Sequence, residues 1–288
     1  MAATAGRLQG LVSVITGAAS GIGRSTAKKF VENGAKVIVA DRQVELGEAV
    51  VKELGSAASF VKCDVTKEDD IAAAVDAAVK QHGKLDIMYN NAGIVGERGP
   101  IDQAKVEDFD FTLNVNLRSV FLGMKHAARV MKERKTGCIL STASVAAIAG
   151  GIGPHGYAAS KAAIVGLTRN AAAELQAHSI RVNCILPGGV VTPLIHSLNP
   201  DVKLTDEQLG QGMVGTMGFG GRYITPDDIG NLAVFLASPD SFFITGQGIT
   251  VDGGFIDLYK DSLDLWFGSK QEVLREAGKT GHPTGDEK

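Results

Sequence analysis

The chain has 288 residues, long enough to bury one large core, and its 44% hydrophobic and 21% charged content is that of an ordinary globular protein. A net charge of −3 with no basic run gives no general attraction to nucleic acid or to an anionic membrane surface. Cys63, Cys138 and Cys184 are scattered without zinc spacing, no apolar run reaches the ~18 residues of a membrane span, and the first ten residues lack a secretory apolar stretch. Buried, reduced thiols in a cytoplasmic protein without a metal are the expectation.

Short β-branched runs alternate with longer amphipathic ones, the pattern of a parallel sheet covered by helices on both faces. Strands are expected at Leu11–Thr16, Lys36–Asp41, Ala58–Val65, Leu85–Asn90, Thr136–Ser141, Ile180–Leu186 and Gly248–Val251. Helices are expected from Gly21 to about Glu32 and near 45–54, 68–82, 105–133, 157–178 and 227–237. Seven strands joined by six crossings predict one doubly wound α/β domain of Rossmann type, spanning 1–288 without an internal boundary. Two stretches break the alternation. Residues 193–226, with Gly215, Gly218, Gly220 and Gly221, are too long for a simple connection and read as a lid. Residues 256–288 form an extension, apolar at Leu258, Leu263, Leu265, Trp266 and Phe267 and polar beyond Gly278, where disorder is expected.

Between the first strand and first helix lies Thr16-Gly17-Ala18-Ala19-Ser20-Gly21-Ile22-Gly23. Glycines there let the backbone turn sharply and approach a pyrophosphate, which rests on the helix N-terminus. Asp41 ends the second strand, where a carboxylate accepts from both ribose hydroxyls of an adenosine and repels a 2′-phosphate. Ser20 supplies no cation for such a phosphate, which favours NAD over NADP; Arg42 is the dissenting residue, since its guanidinium could pair with one. Asp64 and Val65 close the third strand near the place of an adenine, although Asp64 reads equally well as a helix cap. Asn91-Ala92-Gly93 follows the fourth strand, where small residues permit close backbone approach to the cofactor.

Tyr157 and Lys161 stand four residues apart, so on a helix the ammonium lies beside the phenol. A free phenol titrates near ~10, too high for efficient proton exchange at neutral pH. A neighbouring ammonium favours phenolate, and the hydroxyl of Ser144, thirteen residues upstream, can steady a carbonyl or alcohol oxygen. The three together suit proton removal from a secondary alcohol, or its return to an alkoxide.

With these motifs in order, joined by Asn116 and by Pro187-Gly188, residues 8 to about 255 resemble the short-chain dehydrogenase/reductase family. The resemblance implies Tyr157 as general acid/base, Ser144 as holder of the substrate oxygen, and Lys161 as partner of both the phenol and the nicotinamide ribose. It implies that Asn116 supports a water relay from Lys161; Asn114 competes for this role on sequence alone, and Ser119 stands where the family has a glycine. Pro187, Gly188, Val190 and Thr192 fall in the nicotinamide-binding loop that the resemblance implies.

Phrases such as Tyr89-Asn-Asn-Ala-Gly-Ile94 are similar to a subgroup frequent in plant secondary metabolism and found in bacteria, which oxidises cyclic terpenoid, lignan and steroid-like alcohols. A small secondary alcohol or ketone is therefore the expected partner, NAD the cofactor, and a homotetramer or dimer the assembly. Substrate-wall candidates are Val95, Gly96, Val145 to Ile152, His155 and the lid residues Leu194, Ile195, Leu198, Met213, Met217 and Phe219, the lid set equally suited to packing on its own domain. Arg98 and Arg222 could bind an anionic substrate but read first as solvated. An NADPH-dependent ketone reductase is the rival within this class, and a non-catalytic nucleotide sensor or scaffold the rival outside it.

Overall fold

The computed structural model describes residues 6–198, 201 and 203–257. The chain divides into two units, Met1–Gly253 and Gly254–Lys288. The apolar extension expected around Leu258 to Phe267, and the tail beyond it, lie outside the described residues.

In the first unit, β1 (Val12–Thr16), β2 (Lys36–Asp41), β3 (Ala58–Lys62), β4 (Ile87–Asn90), β5 (Gly137–Thr142), β6 (Ile180–Pro187) and β7 (Gly248–Val251) form one sheet. The order is β3-β2-β1-β4-β5-β6-β7, with every pairing parallel. Five strands are buried almost throughout, because parallel strands covered on both faces have no polar side to show. Successive side chains alternate between two cores. Val14, Ile38, Met88, Ile139 and Val182 enter one; Ile15, Val39, Tyr89, Leu140 and Ile185 enter the other. Helices α1 (Gly21–Glu32), α2 (Val44–Leu54) and α9 (Pro226–Ala237) add Phe30, Val50 and Ile229 to the second core. Helices α3 (Glu68–His82), α5 (Ser119–Arg134) and α6 (His155–Leu175) supply Ile71, Met131 and Ile164 to the first.

The predicted helix over 105–133 is interrupted. It comprises α4 (Val106–Leu113), a wide π turn over Asn114–Arg118, and α5. Such turns insert one residue into the helical repeat and re-aim the side chains after it. The 193–226 stretch contains two helices that the glycine-rich sequence hid, α7 (Pro193–His196) and α8 (Asp206–Met217). Thr205 and Gln208 cap α8 reciprocally, which starts that helix despite its glycines.

β1 and β4 are neighbours although β2 and β3 intervene in sequence, so the chain leaves the centre of the sheet in opposite directions. At such a switch point the loops beyond the strands' carboxyl ends part and leave a crevice. Among the described residues no helix is long and apolar enough to cross a membrane, and no group of three His, Cys, Asp or Glu is placed to hold a metal ion.

Candidate active site

A cavity of about 460 Å³ opens at these carboxyl ends. Gly17, Ser20, Gly21, Ile22, Asp41, Arg42, Asp64, Val65, Asn91, Ala92, Gly93, Ser144, Tyr157, Lys161, Pro187, Gly188, Val190 and Thr192 all border it. Of the residues singled out from sequence for cofactor or chemistry, Gly23 and Asn116 are not on its surface; each supports a residue that is.

Gly23 is fixed by contact: a Cβ there would lie 2.2 Å from the Gly17 carbonyl oxygen and 2.7 Å from Asn91 Nδ2. Asn91 in turn donates to the carbonyls of Thr16 and Gly17 at 3.1 and 3.3 Å, drawing the glycine loop onto the end of β4. Ser20 sits in extended backbone at the N-cap of α1 without a side-chain cap bond, so the first-turn N–H groups border the crevice uncapped. Asp41 is buried. Its Oδ2 accepts the Ala19 N–H at 3.0 Å and its Oδ1 the Gln43 N–H at 2.9 Å. Each oxygen retains a lone pair for a ribose hydroxyl. Asp64 is not the cap of the helix that follows: Lys67 is the N-cap of α3, while Asp64 accepts from Thr66 N and Oγ1 at 3.1 and 2.7 Å and borders the cavity. These Thr66 bonds hold its carboxyl below the usual range. Cys63, at the same edge, is inert because burial pushes its thiol up to about 12.

At the other end, α6 presents Tyr157 and Lys161 from adjacent turns, with the Lys161 Nζ 5.4 Å from the phenol ring centre. Lys161 is almost fully buried, and its ammonium donates to the Thr142 carbonyl at 2.8 Å. Burial holds it down at about 8. Burial raises the Tyr157 phenol, and the nearby Ser144 hydroxyl opposes the rise. Ser144 and Tyr157 both border this end of the cavity. Ser144 Oγ accepts the Ala146 N–H at 3.2 Å, which fixes its orientation.

The π turn gives the two asparagines different surroundings. Asn114 is half-buried and 3.4 Å from Arg118, whereas Asn116 is fully buried and faces the site. Asn116 exchanges two hydrogen bonds with the Ile94 backbone at 2.8 and 2.9 Å and reaches Ser160 Oγ at 3.3 Å. A Cβ on Gly93 would meet both Asn116 Oδ1 at 3.3 Å and Lys161 Nζ at 3.5 Å, so these two groups flank one small space. Ser119, in place of the family's glycine, bonds its hydroxyl to the Val115 carbonyl inside the helix.

The substrate wall is less as expected. Leu194 and Ile195 border the cavity, joined by Ile94, Phe111 and Val115, which sequence reasoning did not single out. Met213 and Met217 pack on the loop after β6, Met217 Sδ accepting the Gly189 N–H at 2.9 Å. Phe219 and His155 are exposed. Arg98 is not simply solvated: it donates to the carbonyls of Leu198 and Ser197 at 2.6 and 2.7 Å, beyond the end of α7. Arg222 pairs with Asp228 at 2.6 Å.

A doubly wound parallel sheet with a glycine-lined helix N-terminus at one end of its crevice, and a serine, tyrosine and lysine at the other, defines a nicotinamide oxidoreductase. A family model described as Enoyl-(Acyl carrier protein) reductase matches residues 17–256. The chain belongs to this family of short-chain dehydrogenases/reductases. Momilactone A synthase of Oryza sativa subsp. japonica is 49% identical over 257 residues, covering 88% of this chain and 93% of that protein. The mitochondrial borneol dehydrogenase of Lavandula x intermedia is 47% identical over 249 residues, covering 86% and 91%. The crystal structure of a 3-ketoacyl-(acyl-carrier-protein) reductase from Brucella melitensis complexed with NADH superposes with a TM-score of 0.79 at 36% identity, covering 86% of this chain and 99% of that one.

Proposed function

We propose that the protein oxidises a bulky, largely apolar cyclic secondary alcohol to its ketone, reversibly and with NAD. The observation that carries this reading is the convergence of Ser144, Tyr157 and Lys161 on one end of the crevice, with the α1 N-terminus at the other. The residues fit a dinucleotide: the close contacts at Gly23 leave the loop backbone bare for a pyrophosphate, and Asp41 has acceptors to spare for a ribose. Asp41, Arg42, Asp64 and Val65 would hold the adenosine, and Pro187, Gly188, Val190 and Thr192 the nicotinamide. When bound, NAD supplies the acceptor for the hydride of the carbinol carbon.

The chain's own part is orientation and proton movement. Ser144 donates to the alcohol oxygen while Tyr157 takes its proton. The Lys161 ammonium stabilises the phenolate form, and the space that Lys161 and Asn116 share would seat the water that carries the proton outward. Leu194, Ile195, Phe111 and Ile94 support an apolar substrate, as does the likeness to an enzyme named for borneol, a bicyclic secondary alcohol. Asp41 supports NAD. Arg42, which borders the same cavity, favours a second reading, reduction of a ketone with NADPH.

One catalytic domain with its lid at 193–226, assembled as a homotetramer or dimer in the cytoplasm, completes the proposal. Half-exposed Phe121 on α5 supports assembly, and three free, buried cysteines support a reducing compartment. The test is formation of reduced nicotinamide with borneol and other cyclic secondary alcohols, with NAD and NADP in parallel. Turnover with NAD, reduced at least a hundredfold in Tyr157→Phe with NADH binding retained, is the expected result. Full turnover by Tyr157→Phe would remove the acid/base, and turnover with NADP alone would hand the reading to the reductase.

A further inference from the structure

Glu97 is a carboxylate that the chemistry above does not use, yet it is only 7% exposed. It lies in the loop between β4 and α4 and touches two helices of the site. Oε1 accepts the backbone N–H of Gly156, the residue before Tyr157 in the first turn of α6. Oε2 is 3.0 Å from Oγ1 of Thr112, one helical turn before Asn116 on the same continuous helix. A buried carboxylate is costly unless its oxygens find donors. The Gly156 N–H serves Oε1, while the Thr112 hydroxyl beside Oε2 shares its one proton with the Asp108 carbonyl at 2.7 Å.

The helix it serves lacks a cap of its own. The N-cap of α6 is Pro154, whose ring offers no acceptor to the first-turn N–H groups. Glu97 supplies that acceptor from 59 residues away, and its carboxyl group faces the positive end of a 21-residue helix. The glycines around it are fitted to this contact. A Cβ on Gly156 would come within 2.6 Å of Glu97 Oε2, and one on Gly96, which has φ +80°, within 2.0 Å of Thr112 Oγ1. Arg98, the next residue, holds the carbonyls of Ser197 and Leu198, so the loop that carries Glu97 is anchored on its far side as well.

We propose that Glu97 is a positioning residue: from the loop after β4 it caps the catalytic helix and fixes where Tyr157 stands relative to Ser144 and Asn116. Displacement of a reacting group by about an ångström costs up to about a hundredfold in rate. Glu97→Ala should therefore lower kcat about ten- to a hundredfold, with KM for NAD within about twofold of the wild type. Glu97→Gln keeps an oxygen for the Gly156 N–H and should restore most of kcat.

The role rests on Tyr157 as acid/base, and the experiment separates the two. Hydrogen exchange of the peptide spanning 153–158 is followed by mass spectrometry in the cofactor-free protein, and borneol oxidation with NAD is measured in Glu97→Ala, Glu97→Gln and Tyr157→Phe. Exchange at least about tenfold faster in the alanine variant, near wild type in the glutamine variant, is the expected result and needs no substrate. Unchanged exchange, or unchanged kcat, in Glu97→Ala overturns the proposal. So does a parallel loss of kcat, NAD affinity and thermal midpoint in both Glu97 variants, which would mean general loosening. Turnover retained in Tyr157→Phe instead defeats the reading of the site itself.

Discussion

Replacing Lys161 with methionine should make the cofactor-free protein more stable while abolishing its chemistry. The ammonium is almost fully buried with one direct hydrogen bond, to the Thr142 carbonyl at 2.8 Å, and burial brings its pKa from 10.5 down to about 8. At about 1.4 kcal/mol for each tenfold change in acidity, folding the charged form costs about 3 kcal/mol at pH 7. Methionine is of similar length and uncharged, and forfeits about 1 kcal/mol of hydrogen bond. The variant should therefore gain about 2 kcal/mol at pH 7. The sign with pH follows from the lowered value. The folded chain holds this proton less tightly than the unfolded one, so the penalty is full below about 8 and fades as pH rises through 10.5. The gap between variant and wild type should narrow by about 2 kcal/mol from pH 7 to about pH 9.5, which also cancels other groups titrating there. Urea unfolding of both proteins at the two pH values, at one protein concentration and without cofactor, measures it. A variant less stable than wild type at pH 7, or a gap that does not narrow, would refute the reasoning.

Gly23→Ala places a methyl 2.2 Å from the Gly17 carbonyl, so the loop must move; NADH affinity, read by fluorescence, should fall about five- to a hundredfold, as a shift costing about 1–3 kcal/mol requires. Unaltered affinity would show that the loop is not the phosphate cradle. Asp41→Ala should change the ratio of kcat/KM for NAD over NADP at least tenfold towards NADP, about the value of one lost charge-assisted hydrogen bond. A ratio that stays put would mean that Arg42, not Asp41, reads the ribose.

The nucleotide end was legible because its signals are local: a glycine cluster between a β-branched run and a helix, and a carboxylate at the end of the next strand. The strand set emerged for the same reason, with Lys36–Asp41 and Gly248–Val251 matching residue for residue. The third strand stops at Lys62 rather than Val65, because Asp64 turns the chain through its bonds to Thr66. The helix over 105–133 hid its π turn, since the residues there are ordinary helix formers and the extra residue is imposed by Asn116 bonding across to Ile94. Glu97 was missed for the opposite reason to Asp41. Its partners are 15 and 59 residues away, and a glutamate beside glycines reads as an exposed loop. A Gly-Glu pair in which the glycine abuts a helix was the available signal, and only the fold makes it meaningful. Met213 and Met217 read equally as substrate wall or packing, and the contact with Gly189 is of the packing kind.

The stretch from 193 to 226 is secured largely from within. His196 meets Asp206 at 2.7 Å, Tyr223 reaches Glu207 at 2.9 Å, and the capping box starts α8. It leaves the sheet after β6 and rejoins at α9, whereas the proton chemistry stands on β5, α6 and the π turn. Leu194 and Ile195 reach the cavity from this stretch, while Ile94, Phe111 and Val115 reach it from the chain before α5. The apolar wall is therefore assembled from two sources, and a change in α7 alone reshapes one side of the cleft while the other side, Tyr157 and Lys161 stay in place.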